Sequence, residues 1–223
     1  MTTRAELRVL LAQGRYALSV GRVKEAAVLV KAQPQLVAHL VNLMFDEDAG
    51  VSQRAADVLE RVTARVKSKT GVGGAGAASI KRILAREKDT ILGLLMEARP
   101  ETHPKKLRWN LALMLGRLPL TVADCRRAAP VLHSWLDDTS SIVKTAALQC
   151  LADMTRVDPD STPAVVDLLR IHSRSGTAAM RARCRILLKR LQTAPNHAQR
   201  ASTQKEVEEL FRASGRRFSV DGN

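Results

Sequence analysis

Aromatic residues are scarce in this chain: phenylalanine, tryptophan and tyrosine together make up 3% of the 223 residues. Because aromatic and β-branched residues favour strands, this scarcity argues against a protein built on sheets. Alanine and leucine, by contrast, are abundant, and both favour helices that pack at close range. We therefore expect a helical protein, and a chain of this length can bury a full hydrophobic core.

Long hydrophobic runs are also missing. No apolar stretch reaches the length of a membrane span, and the N-terminal residues lack the long apolar core of a signal peptide. The three cysteines, Cys125, Cys150 and Cys184, are odd in number and widely spaced, unlike a disulfide framework. These features predict a cytoplasmic protein with no membrane partner. Cys150 and Cys184 fall on apolar helix positions and are expected in the core.

Acidic residues are absent from two long stretches, although the whole chain contains 22 of them. Residues 61–86 hold seven basic residues and residues 168–205 hold nine, which together exceed the net charge of +14. The positive charge is therefore regional, as binding to a polyanion would require. Basic helix faces that are simply solvated would give the same pattern, and composition does not decide between the two interpretations.

What the chain does contain is a helical segment that recurs four times. The copies begin at Val51, Leu107, Val143 and Met180, and each has a leucine eight residues later. Their starting points are 56, 36 and 37 residues apart. Positions 0, +4, +7 and +8 fall on one side of a helix, so each copy is an amphipathic helix with a single apolar stripe. Recurrence at this spacing is typical of a helical-repeat array.

The turns before two of these helices are also alike, because Asp46 and Asp138 each lie five residues before Val51 and Val143. Through these motifs, residues 34–193 resemble HEAT-repeat proteins. The resemblance implies an all-α fold, an α-solenoid of about four HEAT-like helix pairs whose second helices line a concave face. Terminal segments usually cap such arrays, so we expect N-terminal capping helices in residues 1–33 and a C-terminal helix with a flexible tail in residues 194–223.

The first spacing is longer than the others and indicates an insertion. Its centre, residues 67–78, is rich in glycine and predicts a flexible basic loop that includes Lys67 and Lys69, with Lys81 and Arg82 in the helix that follows from about Ser79. Such lysines beside a helix start can hold a phosphate. The glycines formally match a dinucleotide fingerprint, but no strand precedes them, so no cofactor is expected.

No catalytic or metal site is predicted. The five histidines are scattered without a pair at metal-ligand spacing, and no serine, cysteine and histidine motif for a nucleophile is present. We therefore expect a protein that is not an enzyme, with no catalytic residues, no metal and no cofactor.

Trp109 is the most distinctive candidate for a binding residue. It occupies position +2 of its copy, about opposite the centre of the apolar stripe, and would face the groove between Gln53 and Thr145. Packing beneath a neighbouring helix is the alternative, whereas Trp135 is expected in the core. The basic residues expected in the same binding groove are Arg108, Lys144, Arg181, Arg183, Arg185 and Lys189.

Three functions follow from these observations. The leading hypothesis is a non-enzymatic scaffold whose concave groove holds a protein partner, as helical arrays usually do. The alternative is nucleic-acid binding through residues 61–86 and 168–205, with the helix at 177–191 as the main contact. The third hypothesis is a DNA repair enzyme, because the chain resembles alkylpurine DNA glycosylases built from HEAT-like repeats. Those enzymes place a tryptophan and an aspartate in a basic groove. In this sequence, however, no aspartate lies on the same face beside Trp109. The oligomeric state is not predicted.

Overall fold

The computed structural model describes residues 3–14, 19–64 and 75–193. Within these ranges the regular structure consists of eleven α-helices and two single-turn 3₁₀ helices, without a strand. The prediction of an all-α protein is confirmed.

The helices follow one another through short connections. In chain order they are α1 (Arg4–Ala12), α2 (Val23–Ala32), α3 (Leu36–Leu43), α4 (Ala49–Thr63), α5 (Ala75–Arg86), α6 (Lys88–Glu97), α7 (Lys105–Leu115), α8 (Val122–Ser134), α9 (Ser141–Met154), α10 (Thr162–Ser175) and α11 (Ala178–Thr193). The 3₁₀ turns, at Trp135–Asp137 and Pro159–Ser161, precede α9 and α10.

Helices that are consecutive in the chain pack in pairs. Helix α1 packs on α2, α3 on α4, α6 on α7, α8 on α9 and α10 on α11. The second members of these pairs also pack on one another, since α4 contacts α2 and α7, and α9 contacts α7 and α11. The helices α2, α4, α7, α9 and α11 therefore form one continuous row.

The hydrophobic core lies along this row, and the recurrent apolar positions point into it. Val51, Ala55 and Leu59 of α4 are all fully buried, and the equivalent residues of α7 and α9 are buried as well. In α11 the last position, Leu188, is only half-buried, because no later described helix packs beyond it. Helix α4 is enclosed on several sides by α1, α2, α3 and α7, so every residue from Gly50 to Leu59 is buried.

The two similar acidic turns have the same local structure. The Asp46 carboxylate accepts a hydrogen bond from the Asp48 backbone N–H at 3.0 Å, and the Asp138 carboxylate accepts one from Ser140 at 2.7 Å. Each also pairs with an arginine from an earlier helix: Arg8 Nε lies 2.7 Å from Asp46, and Arg108 Nη2 lies 2.6 Å from Asp138. The equal spacing in the sequence thus corresponds to an equal hydrogen-bonding arrangement.

Ion pairs also connect each helix pair to the next. The pairs are Lys106–Asp57 (3.2 Å), Arg117–Glu60 (2.8 Å), Lys88–Asp124 (2.7 Å), Arg126–Asp158 (3.2 Å) and Arg190–Asp153 (2.6 Å). These contacts fix the rotation of one pair relative to its neighbour more specifically than apolar packing alone.

The insertion differs from its prediction. Helix α5 begins at Ala75, four residues before the expected start at Ser79, so the end of the predicted 67–78 loop is helical. Gly76 explains the difference, since a Cβ there would lie 3.1 Å from the Lys31 carbonyl oxygen, and glycine lets α5 start against the end of α2. Residues 67–74 of the predicted loop, with Lys67 and Lys69, lie outside the described residues, as do residues 194–223.

None of the described helices is both long enough and apolar enough to cross a membrane.

Candidate binding groove

A groove with a volume of about 1580 Å³ crosses the row of second helices. Its lining comes from the end of α4, one side of α5 as far as Leu84, the end of α7 and the turn after it, one face of α9 with the turn that follows, and one side of α11. Lys31 at the end of α2 also contributes. The insertion contributes to this groove, because Ile80, Lys81 and Leu84 of α5 are among its lining residues. We refer to this concavity as the groove.

The face of α9 that is opposite to the core forms much of the groove. Ile142, Thr145, Gln149 and Asp153 recur every three or four residues and therefore lie on one side of the helix. The Thr145 hydroxyl donates a hydrogen bond to the Ser141 carbonyl at 2.6 Å, and the Gln149 side-chain amide donates one to the Asp153 carboxylate at 2.9 Å. These polar groups are therefore satisfied within the helix. Ile142 is 53% exposed and offers apolar surface to a ligand.

The lining of the groove carries an excess of positive charge. It contains six basic side chains and two carboxylates: Lys31, Lys81, Arg117, Arg156, Arg183 and Arg190, with Glu60 and Asp153. Both carboxylates are paired, Glu60 with Arg117 at 2.8 Å and Asp153 with Arg190 at 2.6 Å.

Four of these cations have no carboxylate partner within the described ranges. Lys31 and Lys81 are exposed. Arg156 donates to the Gly116 carbonyl at 3.1 Å, and Arg183 donates to the Gln149 side-chain oxygen at 3.3 Å. The groove therefore favours an anionic or acidic ligand, and any such ligand could pair with cations from α2, α5 and α11.

A close helix contact fixes the floor of the groove. A Cβ at Gly116, the residue after α7, would lie 2.9 Å from the Asp153 Cβ on α9, so only glycine fits there without a shift. The Gly116 carbonyl in turn accepts a hydrogen bond from Arg156 at 3.1 Å. These contacts hold the ends of α7 and α9 together beneath the groove.

Trp109 is half-buried against the core and does not line this groove, although Leu113 one turn later does. The expectation that Gln53 flanks it in a groove is wrong, since Gln53 is 1% exposed. The cause is the enclosure of α4, in which even the side opposite the apolar stripe is covered. Trp135 is 2% exposed, and its predicted place in the core is confirmed.

Arg108 is a structural residue, and its predicted place in the groove is wrong. It is 3% exposed, pairs with Asp138, and donates to the backbone carbonyls of Pro100 and His103. Position +1 on α7 points at the turn before that helix rather than at the open face. Arg181, at the same position on α11, similarly donates to the Gly176 carbonyl at 2.7 Å.

The other predicted basic residues are distributed over several surfaces. Arg183 and Lys81 lie together in the groove, whereas Arg82, Arg185 and Lys189 are exposed outside it. Lys144 is half-buried and outside the groove.

Lys144 lies instead near α10, where it acts on the titration of His172. Burial lowers the pKa of His172, and the positive charge of Lys144 lowers it further. The prediction thus combined residues from three different faces, and it missed Ile142, which precedes the apolar stripe of α9 by one position.

The buried carboxylates of Asp57 and Asp138 both form ion pairs with basic side chains. Asp57 on α4 pairs with Lys106 at 3.2 Å and with Arg61 at 3.1 Å, and Asp138 pairs with Arg108. In the described part of the chain, no three histidine, cysteine or acidic side chains are grouped so that they could hold a metal ion.

The chain matches no family model and no curated protein sequence. The helix packing and the groove are therefore the basis of the functional argument.

Proposed function

We propose that this protein is a non-enzymatic scaffold, a HEAT-like solenoid of stacked helix pairs whose groove holds a protein partner. The continuous row of second helices supports the solenoid, as do the matching turns at Asp46 and Asp138. Stacked helix pairs generate extended concave surfaces, and such surfaces commonly bind a segment of another protein.

The observation that carries the proposal is the mixed lining of the groove. It combines the exposed Ile142 with cations from three helices, and the described residues that line it include no aromatic side chain. A protein segment can cover apolar surface and pair with the cations at the same time. Single-stranded nucleic acids, in contrast, are usually held by aromatic stacking platforms in addition to cations.

The proposal is tested by comparing two variants of the tagged full-length chain in pull-downs from cell extract. Ile142→Glu places a charge in the groove, and Val28→Glu places the same charge at a site on α2 that is 70% exposed and outside the groove. We expect proteins that bind the wild type and Val28→Glu but not Ile142→Glu. Equal capture by all three chains, with equal thermal stability, would contradict the proposal.

A second candidate function is nucleic-acid binding, and the exposed basic residues of the last helix pair favour it. Arg185 and Lys189 of α11 and Arg174 of α10 are exposed outside the groove. The test is fluorescence anisotropy with a labelled DNA duplex at several salt concentrations. Binding that weakens steeply with salt, and that is lost in Arg185→Glu/Lys189→Glu, would favour this function. For a DNA glycosylase no comparable observation is present, because the carboxylates Asp57 and Asp138 are paired.

A further inference from the structure

From the shape, polarity and charge of the groove, we infer that its ligand is an acidic amphipathic helix of about four turns, supplied by the protein partner. This inference rests on the proposed function and specifies the chemistry of the partner.

The dimensions of the groove suit a helix. Its lining residues on α9 and the following turn extend from Ser141 to Val157. At a rise of 1.5 Å per residue this corresponds to about 24 Å, the length of a helix of about 16 residues. An extended segment would span the same distance with only about seven residues.

The lining also contains apolar side chains that a ligand can cover. Ile142 of α9 is 53% exposed, and the partly buried Val62 of α4 and Leu113 of α7 lie in the same lining. An amphipathic helix presents apolar residues at positions i, i+3, i+4 and i+7, which form a continuous stripe that would cover them.

The lining also carries cations from two different helices, α5 and α11. Lys81 belongs to α5 and Arg183 to α11, and neither has a carboxylate partner among the described residues. Glutamates that flank the apolar stripe of a bound helix could pair with these cations. A basic helix would meet the same cations with like charge, so the groove discriminates by charge as well as by polarity.

The probe for the test is a fluorescein-labelled 16-residue peptide with leucines at helical spacing and glutamates on both flanks. Two control peptides isolate its properties: one carries lysines in place of the glutamates, and the other has the same composition in an order without an apolar stripe. Anisotropy is measured with the full-length chain at low salt. We expect the acidic amphipathic peptide to bind at least ten-fold more tightly than either control.

Variants on the two sides of α11 locate the site. Changing one member of an exposed ion pair to the opposite charge alters affinity by about two- to ten-fold, so Arg183→Glu should weaken binding of the peptide by this factor. Arg185→Glu is the matched control, because Arg185 lies on the same helix and is exposed outside the groove. Equal affinities of these two variants, or equal binding of all three peptides, would overturn the inference.

The chain itself contains a competitor of similar chemistry, since Glu206, Glu208 and Glu209 accompany Val207, Leu210 and Phe211 in the sequence. A full-length variant with these three glutamates changed to glutamine serves as the comparison. Peptide binding that occurs only in this variant would mean that the occupant is the protein's own segment rather than a partner. Failure of the peptide while the pull-down still distinguishes Ile142→Glu from Val28→Glu would refute the ligand chemistry and leave the scaffold function intact.

Discussion

Removing the arginine from the buried ion pair between Arg108 and Asp138 is expected to destabilise the protein far more than removing it from the equivalent pair with an exposed arginine, Arg8 with Asp46. The two pairs have nearly the same length, 2.6 Å and 2.7 Å, and both carboxylates sit in the same kind of turn. Their surroundings differ mainly at the arginine, because the Arg108 side chain is 4% exposed and the Arg8 side chain is 49% exposed, whereas the carboxylates of Asp138 and Asp46 are 0% and 7% exposed. Comparing them therefore shows the effect of burying the arginine together with its hydrogen bonds.

The perturbation is replacement of each arginine by alanine. In Arg108→Ala the Asp138 carboxylate remains buried without its partner, and the carbonyls of Pro100 and His103 lose a donor. Removing one member of a buried pair costs about 3–5 kcal/mol. For a chain of this size, that corresponds to a fall in melting temperature of roughly 6–20 °C. In Arg8→Ala, water can replace the half-exposed guanidinium, and we expect little change in the free energy of unfolding.

The assay is urea unfolding monitored by far-UV circular dichroism, with thermal melting of the same two variants. A loss in Arg108→Ala of less than about 1 kcal/mol, the value typical of surface pairs, would refute the reasoning. So would equal losses in the two variants. Either result would mean that water reaches the Arg108 pair in the folded protein.

Two further predictions concern the packing and the titration of the helices. Gly116→Ala should destabilise the protein, because the new Cβ would press on Asp153. Gly93→Ala should stabilise it by about 0.5–1 kcal/mol, because a Cβ there meets nothing within 4 Å. Equal melting temperatures of the two variants would contradict both expectations. Burial alone would raise the pKa of Asp124, but hydrogen bonds from Lys88 and Thr121 outweigh this effect and lower the pKa to about 2. Because the folded-state pKa lies below the unfolded value, this contribution to stability is present above about pH 4 and lost as the pH falls towards 2. The urea midpoint should therefore fall over that range with a steeper slope than in Asp124→Asn, and parallel curves would refute the assignment.

Local features of the helices could be predicted from the sequence because they depend on residues close together in the chain. The apolar stripe at Val51, Ala55 and Leu59 is buried as its helical period requires. The capping box at Thr121 and Asp124 is present, with reciprocal hydrogen bonds of 3.2 Å and 2.9 Å between side chains and backbone. Such contacts are complete within one turn of helix, so their pattern is readable without the fold.

The insertion was only partly predictable, because one of its glycines, Gly76, has a tertiary role. A glycine-rich run normally indicates a loop, yet Gly76 lies in the first turn of α5. Its small size matters because the Lys31 carbonyl approaches from α2, a contact between residues 45 positions apart in the sequence. No local pattern distinguishes a glycine needed for close approach from a glycine that breaks a helix.

By itself, the sequence determined the helical class of this protein, the faces of its second helices that enter the core, and the similar turns at Asp46 and Asp138. Only the tertiary structure decided which of the remaining faces meet solvent. Gln53 and Arg108 are buried because neighbouring helices enclose them, whereas Ile142 is exposed because α5, α9 and α11 leave a space between them. A helical period specifies one side of a helix that must be covered, but the number of neighbours on its other sides depends on how the helices stack.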